Sequence, residues 1–258
     1  MRYAAIASMM RSAAASVTEV VLLAGQSNMS GRGVYDAAID TTSPRIKQFG
    51  GKPALANYRT TFQASDPLTH NDTDTQVGPG MSFARRRIAL RPNRTVILVP
   101  CAVGGTYLVA SPAQWSPYGA GALFNQAVSQ AKLALAANPG AVFSGVLWLQ
   151  GEFDAFAGVS QSAYVAACTD MIAAFRSQIA GASESWFAMG RMVPEFIAGG
   201  ANAVAINAAH TQIAASVAKT VIADSVAVGN SIGDNLHYNA AAVRAIGASM
   251  ADAVQTFV

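Results

Sequence analysis

Short apolar runs recur at wide spacing, and most are separated by longer alanine-rich stretches with helical periodicity. The short runs predict buried strands at 20–24, 96–99, 142–149, 186–189 and 221–228. The amphipathic stretches predict helices at 123–137, 162–179, 204–219 and 240–254. Strands that alternate with helices form parallel sheets covered on both faces. The pattern therefore predicts an α/β fold with about five parallel strands, whose following loops share one rim.

Two stretches lack this periodicity. Residues 36–79 are rich in Thr, Asp, Asn, Gly and Pro, and a loop of that length inside a compact domain is usually functional. We interpret it as a wall of the active-site cleft. The second stretch, 110–121, carries Trp115 and Tyr118, whose rings either stack on a sugar or anchor the loop by packing.

Composition and charge narrow the classes of function open to this chain. Only 12% of the 258 residues are charged and 52% are hydrophobic, which suits a compact enzyme. The net charge of +3 is too small to indicate a nucleic-acid partner, and the basic run at 85–87 is typical of a solvated helix face. No apolar stretch approaches the roughly 18 residues of a membrane span. Cys101 and Cys168 lack the paired spacing of a zinc site, and their pairing is left open.

The chain is interpreted as one domain over 18–258, preceded by a separate segment at 1–17. That segment loosely resembles a secretory signal, but Arg11 interrupts its apolar part. An attachment helix is the alternative. A secreted, periplasmic or surface location is favoured over the cytoplasm, and the oligomeric state is left open.

The most informative motif is GQSNM at 25–29, directly after the first predicted strand. A serine at such a strand–turn–helix junction exposes its hydroxyl, and its backbone N–H can face an oxyanion because the first N–H groups of a helix are unpaired. The alternative is that Ser27 only caps a helix.

Two further motifs follow predicted strands. Gly104 and Gly105 let the backbone approach a ligand closely, or simply form a tight turn. In WLQGEFD at 148–154, the Gln150 amide can stabilise developing negative charge, or merely brace its own loop. The acidic residues beside it suit acid–base or metal chemistry, but we favour a supporting role in which Glu152 binds neighbouring loop N–H groups.

The last motif, DNLH at 234–237, precedes the final predicted helix. Asp234 and His237 lie three residues apart on one turn. Asp234 can therefore accept the Nδ1–H of His237 and leave Nε2 free as a base. A lone histidine is usually structural, but the order Ser27, Asp234, His237 is one in which the serine-hydrolase triad recurs.

Together these motifs resemble the SGNH/GDSL hydrolase superfamily, and most closely its sialate O-acetylesterase and acetylxylan esterase branch, carbohydrate esterase family six. GPGMSFA at 78–84 also resembles that branch. The resemblance covers about residues 20–250. It implies a flavodoxin-like three-layer α/β/α fold, an acetylated carbohydrate substrate and no metal or organic cofactor.

The resemblance also implies roles for particular residues. Ser27 would be the nucleophile, His237 the base and Asp234 its orienting partner. The oxyanion hole would comprise the N–H groups of Ser27 and Gly104 and the Gln150 side chain, with Gly105 as the alternative to Gly104. The supporting residues would be Gln26 and Glu152.

The sequence departs from the branch at two positions. Leu149 replaces a usual histidine and Phe153 a common serine, which puts the substrate preference in doubt more than the reaction. Three alternatives stay open: an esterase or thioesterase for lipid or aryl esters, a non-catalytic carbohydrate-binding module, and a surface or virion component attached through 1–17.

Overall fold

The computed structural model describes residues 15–119, 121–224 and 229–257, and it contains one seven-stranded sheet. In chain order the strands are β1 (Val17–Gly25), β2 (Ile46–Phe49), β3 (Thr61–Gln63), β4 (Arg94–Pro100), β5 (Val142–Leu149), β6 (Trp186–Gly190) and β7 (Thr220–Ala223). The helices are α1 (Ser27–Ser30), α2 (Pro79–Leu90), α3 (Ala122–Ala137), α4 (Glu152–Phe156), α5 (Gln161–Gln178), α6 (Pro194–Ala198), α7 (Ala201–Ser216) and α8 (Ala240–Ala253), followed by a 3₁₀ turn (Val254–Thr256).

The sheet order is β3-β2-β4-β1-β5-β6-β7, and only the β2–β3 pair is antiparallel. The side chains of β1 alternate between two apolar cores, with Leu22 in one and Leu23 in the other. Helices α3, α5 and α7 contribute to the first core, and α2 and α8 to the second. The predicted three-layer α/β/α fold is therefore confirmed, with β1 at the centre of the sheet.

The sheet has two more strands than the five predicted, because β2 and β3 lie in the segment interpreted as a loop. They are only four and three residues long, and β2 carries the polar side chains of Lys47 and Gln48. Runs this short show no clear period, so the pairing of β2 with β4 and of β3 with β2, rather than local pattern, defines them. At the other edge, β7 ends at Ala223, and 225–228 of the predicted strand lie outside the described residues.

The basic run at 85–87 is not simply a solvated helix face. It lies in α2, where Arg87 is buried and forms a bidentate ion pair with Glu19 of β1, with distances of 2.8 and 2.9 Å. A buried guanidinium needs such a partner, because an unpaired charge there would lose its hydration without compensation. This pair ties α2 to the start of the central strand.

The two loop aromatics at 110–121 have different environments. Trp115 is fully buried, donates to the hydroxyl of Thr106 at 3.0 Å and packs edge-on against Trp148. Tyr118 is exposed, with its hydroxyl beside Asp170 of α5. Trp115 is therefore a packing anchor.

The remaining sequence predictions concern the cysteines, membrane spans and the N-terminal segment. Cys101 and Cys168 are both buried free thiols. Across the described ranges, none of the helices has the length and apolar character needed to cross a bilayer. Residues 1–14 lie outside the described part, so the predictions for segment 1–17 and for a single domain from residue 18 stay predictions.

Candidate active site

Ser27 is the first residue of α1, immediately after the central strand. Gly25 makes this turn possible: its φ is +130°, and a side chain there would collide with the backbone oxygen of Leu149. That same oxygen accepts a hydrogen bond from the Gln26 N–H at 3.0 Å. As expected for a first helical residue, the Ser27 N–H has no acceptor in the described part of the chain. It is available to a ligand.

Gln26 caps the short helix through its backbone, since its carbonyl accepts the N–H groups of Met29 and Ser30. Its side chain is completely buried, and neither amide atom has a hydrogen-bond partner among the described residues. The supporting role implied for Gln26 therefore rests on its backbone contacts.

His237 and Asp234 lie on the turn before α8 and meet Ser27 across the end of the sheet. The Nε2 atom of His237 is 2.9 Å from Ser27 Oγ, and its Nδ1 atom is 2.6 Å from Asp234 Oδ2. A carboxylate only accepts, so the proton must lie on Nδ1, which leaves Nε2 to accept the serine hydroxyl. The structure thus brings all three predicted triad residues together.

The Asp234 carboxylate is fixed and charged. Burial alone would raise its pKa, but hydrogen bonds from the backbone N–H groups of His237 and Leu236 and the contact with the His237 ring lower the pKa to about 2. Asp234 is therefore an anion throughout the physiological pH range.

Asn28 links the serine turn to the histidine turn. Its amide nitrogen donates to Glu152 Oε1 at 2.6 Å and to the Leu236 carbonyl at 3.0 Å, and its oxygen accepts the Tyr238 N–H at 2.9 Å. These bonds hold the residues on either side of His237. Sequence reasoning gave Asn28 no role, although it lies within the GQSNM motif.

The two acidic residues after β5 support different loops. Glu152 is fully buried and accepts from Asn28; burial raises its pKa to about 7, against the lowering effect of the backbone N–H groups of Glu152 and Gly151. Asp154 binds the N–H groups of Leu108, Val109 and Ala110 at 2.8–3.0 Å. The supporting role of Glu152 toward its own loop stays a prediction, and Asp154 supports the loop that follows the glycine turn.

The glycine turn after β4 lies beside Ser27, since the Val103 N–H donates to the Gly25 carbonyl at 3.2 Å. The Gly104 N–H donates to Asp72 at 3.1 Å. The Gly105 N–H has no acceptor in the described ranges, and its φ of +71° belongs to the left-handed region that favours glycine.

Asp72 is a site residue that sequence reasoning missed. Besides Gly104, it binds the hydroxyl of Ser30 at 2.5 Å and the guanidinium of Arg32 at 3.2 Å. It therefore joins α1 to the glycine turn. Asp72 lies in the aperiodic segment 36–79, where no local pattern distinguishes it from the other aspartates.

Gln150 is completely buried after β5, and its amide is fully engaged. Its two N–H groups donate to Asp154 Oδ2 at 2.7 Å and to the Thr106 carbonyl at 3.1 Å, and its oxygen accepts from the Tyr164 hydroxyl at 2.8 Å. An oxyanion role requires one of these N–H groups to exchange partners. The longer bond, to Thr106, is the easier one to give up.

Among the described residues, no group of three or more His, Cys, Asp or Glu side chains is arranged to hold a metal ion. The geometry around Ser27 is that of a serine nucleophile with a histidine base.

Known proteins resemble this chain in sequence and in fold. Residues 17–256 match the model of a family described as carbohydrate esterase, sialic acid-specific acetylesterase. A probable 9-O-acetyl-N-acetylneuraminic acid deacetylase from Escherichia coli K12 is 32% identical over 178 residues, which is 52% of this chain and 53% of the relative. The chain thus matches about half the length of that curated relative.

Two solved structures share the fold. NanS superimposes with a TM-score of 0.77 at 20% identity, covering 94% of this chain and 98% of its own. A protein from Arabidopsis thaliana gives a TM-score of 0.75 at 24% identity, covering 93% of this chain and 99% of its own. At these identities, the likeness shows the fold alone.

Proposed function

Since the chain belongs to the carbohydrate esterase, sialic acid-specific acetylesterase family, we propose that it is a serine esterase that removes O-acetyl groups from carbohydrate. The observation that carries this proposal is the unbroken hydrogen-bonded series from Ser27 Oγ through His237 to Asp234. An ester is attacked by an alkoxide-like oxygen, and this series removes the hydroxyl proton as the attack proceeds.

In the first step, Ser27 Oγ forms a bond to the acetyl carbonyl carbon and its proton passes to His237 Nε2. The carbonyl oxygen becomes an oxyanion. Asp234, held as an anion, stabilises the positively charged imidazole that results. When the intermediate collapses, the bond to the sugar oxygen breaks, and that oxygen takes the proton from Nε2.

In the second step, water attacks acetyl-Ser27. His237 takes a proton from the water and returns it to Ser27 Oγ as acetic acid leaves, which ionises to acetate in solution. The enzyme is then restored, and neither step calls on a metal or an organic cofactor.

The oxyanion needs donors that point to where charge develops. The free N–H of Ser27 is the first. The glycine turn supplies the second, from Gly104 if it shares its N–H with Asp72, or from Gly105 directly. Gln150 is the third, after exchanging its bond to Thr106 for one to the oxyanion. A single donor of this kind is worth roughly 3–4 kcal/mol of barrier.

The proposal is tested by acetate release from acetylated xylan, acetylated sialic acid and an aryl acetate, with wild type and Ser27→Ala. We expect Ser27→Ala to melt at the wild-type temperature and to lose more than about a thousandfold in kcat, because triad losses are that large. A folded Ser27→Ala that keeps its turnover, or a wild type that releases no acetate from any of the three, would overturn it.

A further inference from the structure

The buried carboxylate of Asp72 bridges two segments that flank the catalytic serine. Its Oδ2 atom accepts hydrogen bonds from the hydroxyl of Ser30, the last residue of α1, at 2.5 Å and from the N–H of Gly104, on the glycine turn, at 3.1 Å. Its Oδ1 atom accepts the N–H of Thr73 at 2.8 Å, which fixes the plane of the carboxylate. One carboxylate oxygen therefore sets the separation between the serine helix and the glycine turn.

Arg32 balances the charge of this carboxylate. Its Nη2 atom lies 3.2 Å from Asp72 Oδ2, and its Nη1 atom donates to the Ser30 hydroxyl at 3.0 Å. Burial would raise the pKa of Asp72, but the hydrogen bond from Ser30 and the guanidinium of Arg32 hold that pKa below its usual range. The pair has no net charge, so the carboxylate adds little repulsion to an oxyanion formed nearby.

The bond to Asp72 determines which N–H group of the glycine turn is available to a ligand. The Val103 N–H donates to the Gly25 carbonyl, and the Gly104 N–H donates to the carboxylate. A hydrogen bond to an ionised acceptor is about twice as strong as one between neutral groups, so Gly104 gives up this partner only at a cost. The next N–H along the chain, that of Gly105, has no acceptor within the described ranges.

The position of that free N–H depends on the residue before it. Gly105 has a φ of +71°, and the Asp72 bond holds the chain at Gly104, directly before this conformation begins. An oxyanion donor must lie roughly 2.7–3.1 Å from the developing charge. A displacement of about 1 Å can cost about a hundredfold in rate. A side chain that fixes the glycine turn can therefore control turnover without contacting the substrate.

We propose that Asp72 is a positioning residue for the oxyanion hole: it holds the glycine turn against α1 so that the N–H groups of Gly105 and Ser27 face the same oxygen. The inference rests on the proposed esterase function and deepens it. Within the described residues, the hydrogen bonds and the ion pair of the Asp72 carboxylate reach none of the triad side chains.

The test compares wild type, Asp72→Ala and Asp72→Asn on an aryl acetate. Asp72→Ala removes the acceptor for Gly104, and kcat should fall about a hundredfold with little change in KM, because the displaced donor acts on charge present only in the transition state. Asp72→Asn keeps an acceptor oxygen but binds the N–H more weakly, since it lacks the charge. It should lose about three- to tenfold in kcat.

Inhibition by methylboronic acid separates positioning from a loss of folded protein. Its boron binds Ser27 Oγ and forms a tetrahedral anion with one oxygen in the oxyanion hole. An inhibition constant does not depend on how much of the sample is active, so partial unfolding leaves it unchanged. We expect the constant to rise at least about tenfold in Asp72→Ala, and by a smaller factor in Asp72→Asn. The apparent pKa of the pH profile of kcat/KM should stay at its wild-type value in both variants.

The matched control is Asp74→Ala. It removes an exposed carboxylate from the same loop, and that carboxylate contacts the Thr73 hydroxyl rather than the glycine turn. The kcat, the KM and the inhibition constant should all match those of wild type.

Four results would overturn the inference. Wild-type kcat and inhibition constant in a folded Asp72→Ala, or in Asp72→Asn if the alanine variant does not fold, would show that the turn keeps its position unaided. A higher kcat would show that Asp72 competes with the oxyanion for the Gly104 N–H. A lower kcat with an unchanged inhibition constant would assign Asp72 to stability alone. A shifted pH profile would show that it acts through the triad.

These results are interpreted only against a wild type whose hydrolysis of the aryl acetate depends on Ser27. A wild type without that hydrolysis refutes the proposed function itself, whereas any of the four results leaves the proposed function standing.

Discussion

The two walls of the cleft are built from different kinds of interaction. Around Ser27, polar side chains are buried and bound at short distances: Asn28 to Glu152 at 2.6 Å, Gln150 to Asp154 at 2.7 Å and Ser30 to Asp72 at 2.5 Å. The second wall is an aromatic ridge of Tyr107, Phe153, Phe156 and Phe196, joined by edge-to-face ring contacts and with Phe156 largely exposed.

The difference has a physical reason. Transition-state charge requires donors and acceptors that are already in place, and burial makes each unpaired group costly, so the polar wall tolerates little change. Exposed rings that contact one another edge to face have looser geometric requirements and accept substitution more easily. The acyl transfer that we propose therefore depends on the polar wall, whose contacts tolerate the least change.

The largest effect is expected at the His237 turn. His237→Ala removes the base, and Asp234→Asn keeps the shape of the turn but removes the charge that stabilises imidazolium. We expect kcat to fall by at least about a thousandfold in both, with His237→Ala the more severe. Steady-state kinetics on an aryl acetate measures this. If Asp234→Asn kept most of its turnover in a stably folded protein, Asp234 would only shape the turn.

A smaller loss, of about a hundredfold in kcat with little change in KM, is expected for Gln150→Ala if its amide donates to the oxyanion. Tyr164→Phe is the matched control, because it removes the hydroxyl that binds Gln150 Oε1 while leaving both amide N–H groups in place. It should lower the melting temperature more than kcat. A Gln150→Ala protein that behaves in the same way would show that Gln150 only braces the loop between Thr106 and Asp154.

The smallest effect is the change in the free energy of unfolding with pH that the Glu152 carboxyl causes. Its pKa is 4.5 in an ordinary setting and about 7 when buried here, so between these values the folded state holds a proton that the unfolded state has released. The free energy of unfolding contributed by Glu152 therefore falls as pH rises from about 4.5 to 7.

Glu152→Gln abolishes this titration while preserving an acceptor for Asn28. Its melting temperature, relative to wild type, should be higher at pH 7.5 than at pH 5. Both proteins contain the buried rings of His70 and His210, whose lowered pKa values make stability rise with pH. This opposite pH dependence cancels when the variant is compared with wild type. A difference that does not vary with pH would place Glu152 in its ionised form at both values.

Much of the fold is readable from local pattern, because long periodic segments define the helices and apolar runs define the central strands. Helix 240–254, for example, is observed as Ala240–Ala253. Strands β2 and β3 were missed since a three- or four-residue run has no measurable period, and Arg87 was misread because its partner Glu19 is 68 residues away in sequence.

The candidate triad was predictable because each of its residues has a local sequence signal, and Asp72 was not predictable because it has none. Asp234 and His237 are three residues apart, and Ser27 directly follows a recognisable strand, so each has a local signal. Asp72 and Asp154 acquire their roles only when loops from different strands meet at one edge of the sheet. Likewise, the aromatic ridge joins Tyr107 to Phe196, which are distant in sequence.

The central claim, that Ser27 forms a covalent intermediate with the help of His237, is tested most directly by capture of that residue. The protein is treated with an alkyl fluorophosphonate, which phosphonylates activated serines, and its peptides are mapped by mass spectrometry. We predict a single modified site, Ser27, with labelling greatly slowed in His237→Ala and absent in Ser27→Ala. Labelling at another serine, or no labelling in a wild type that releases acetate, would contradict the account.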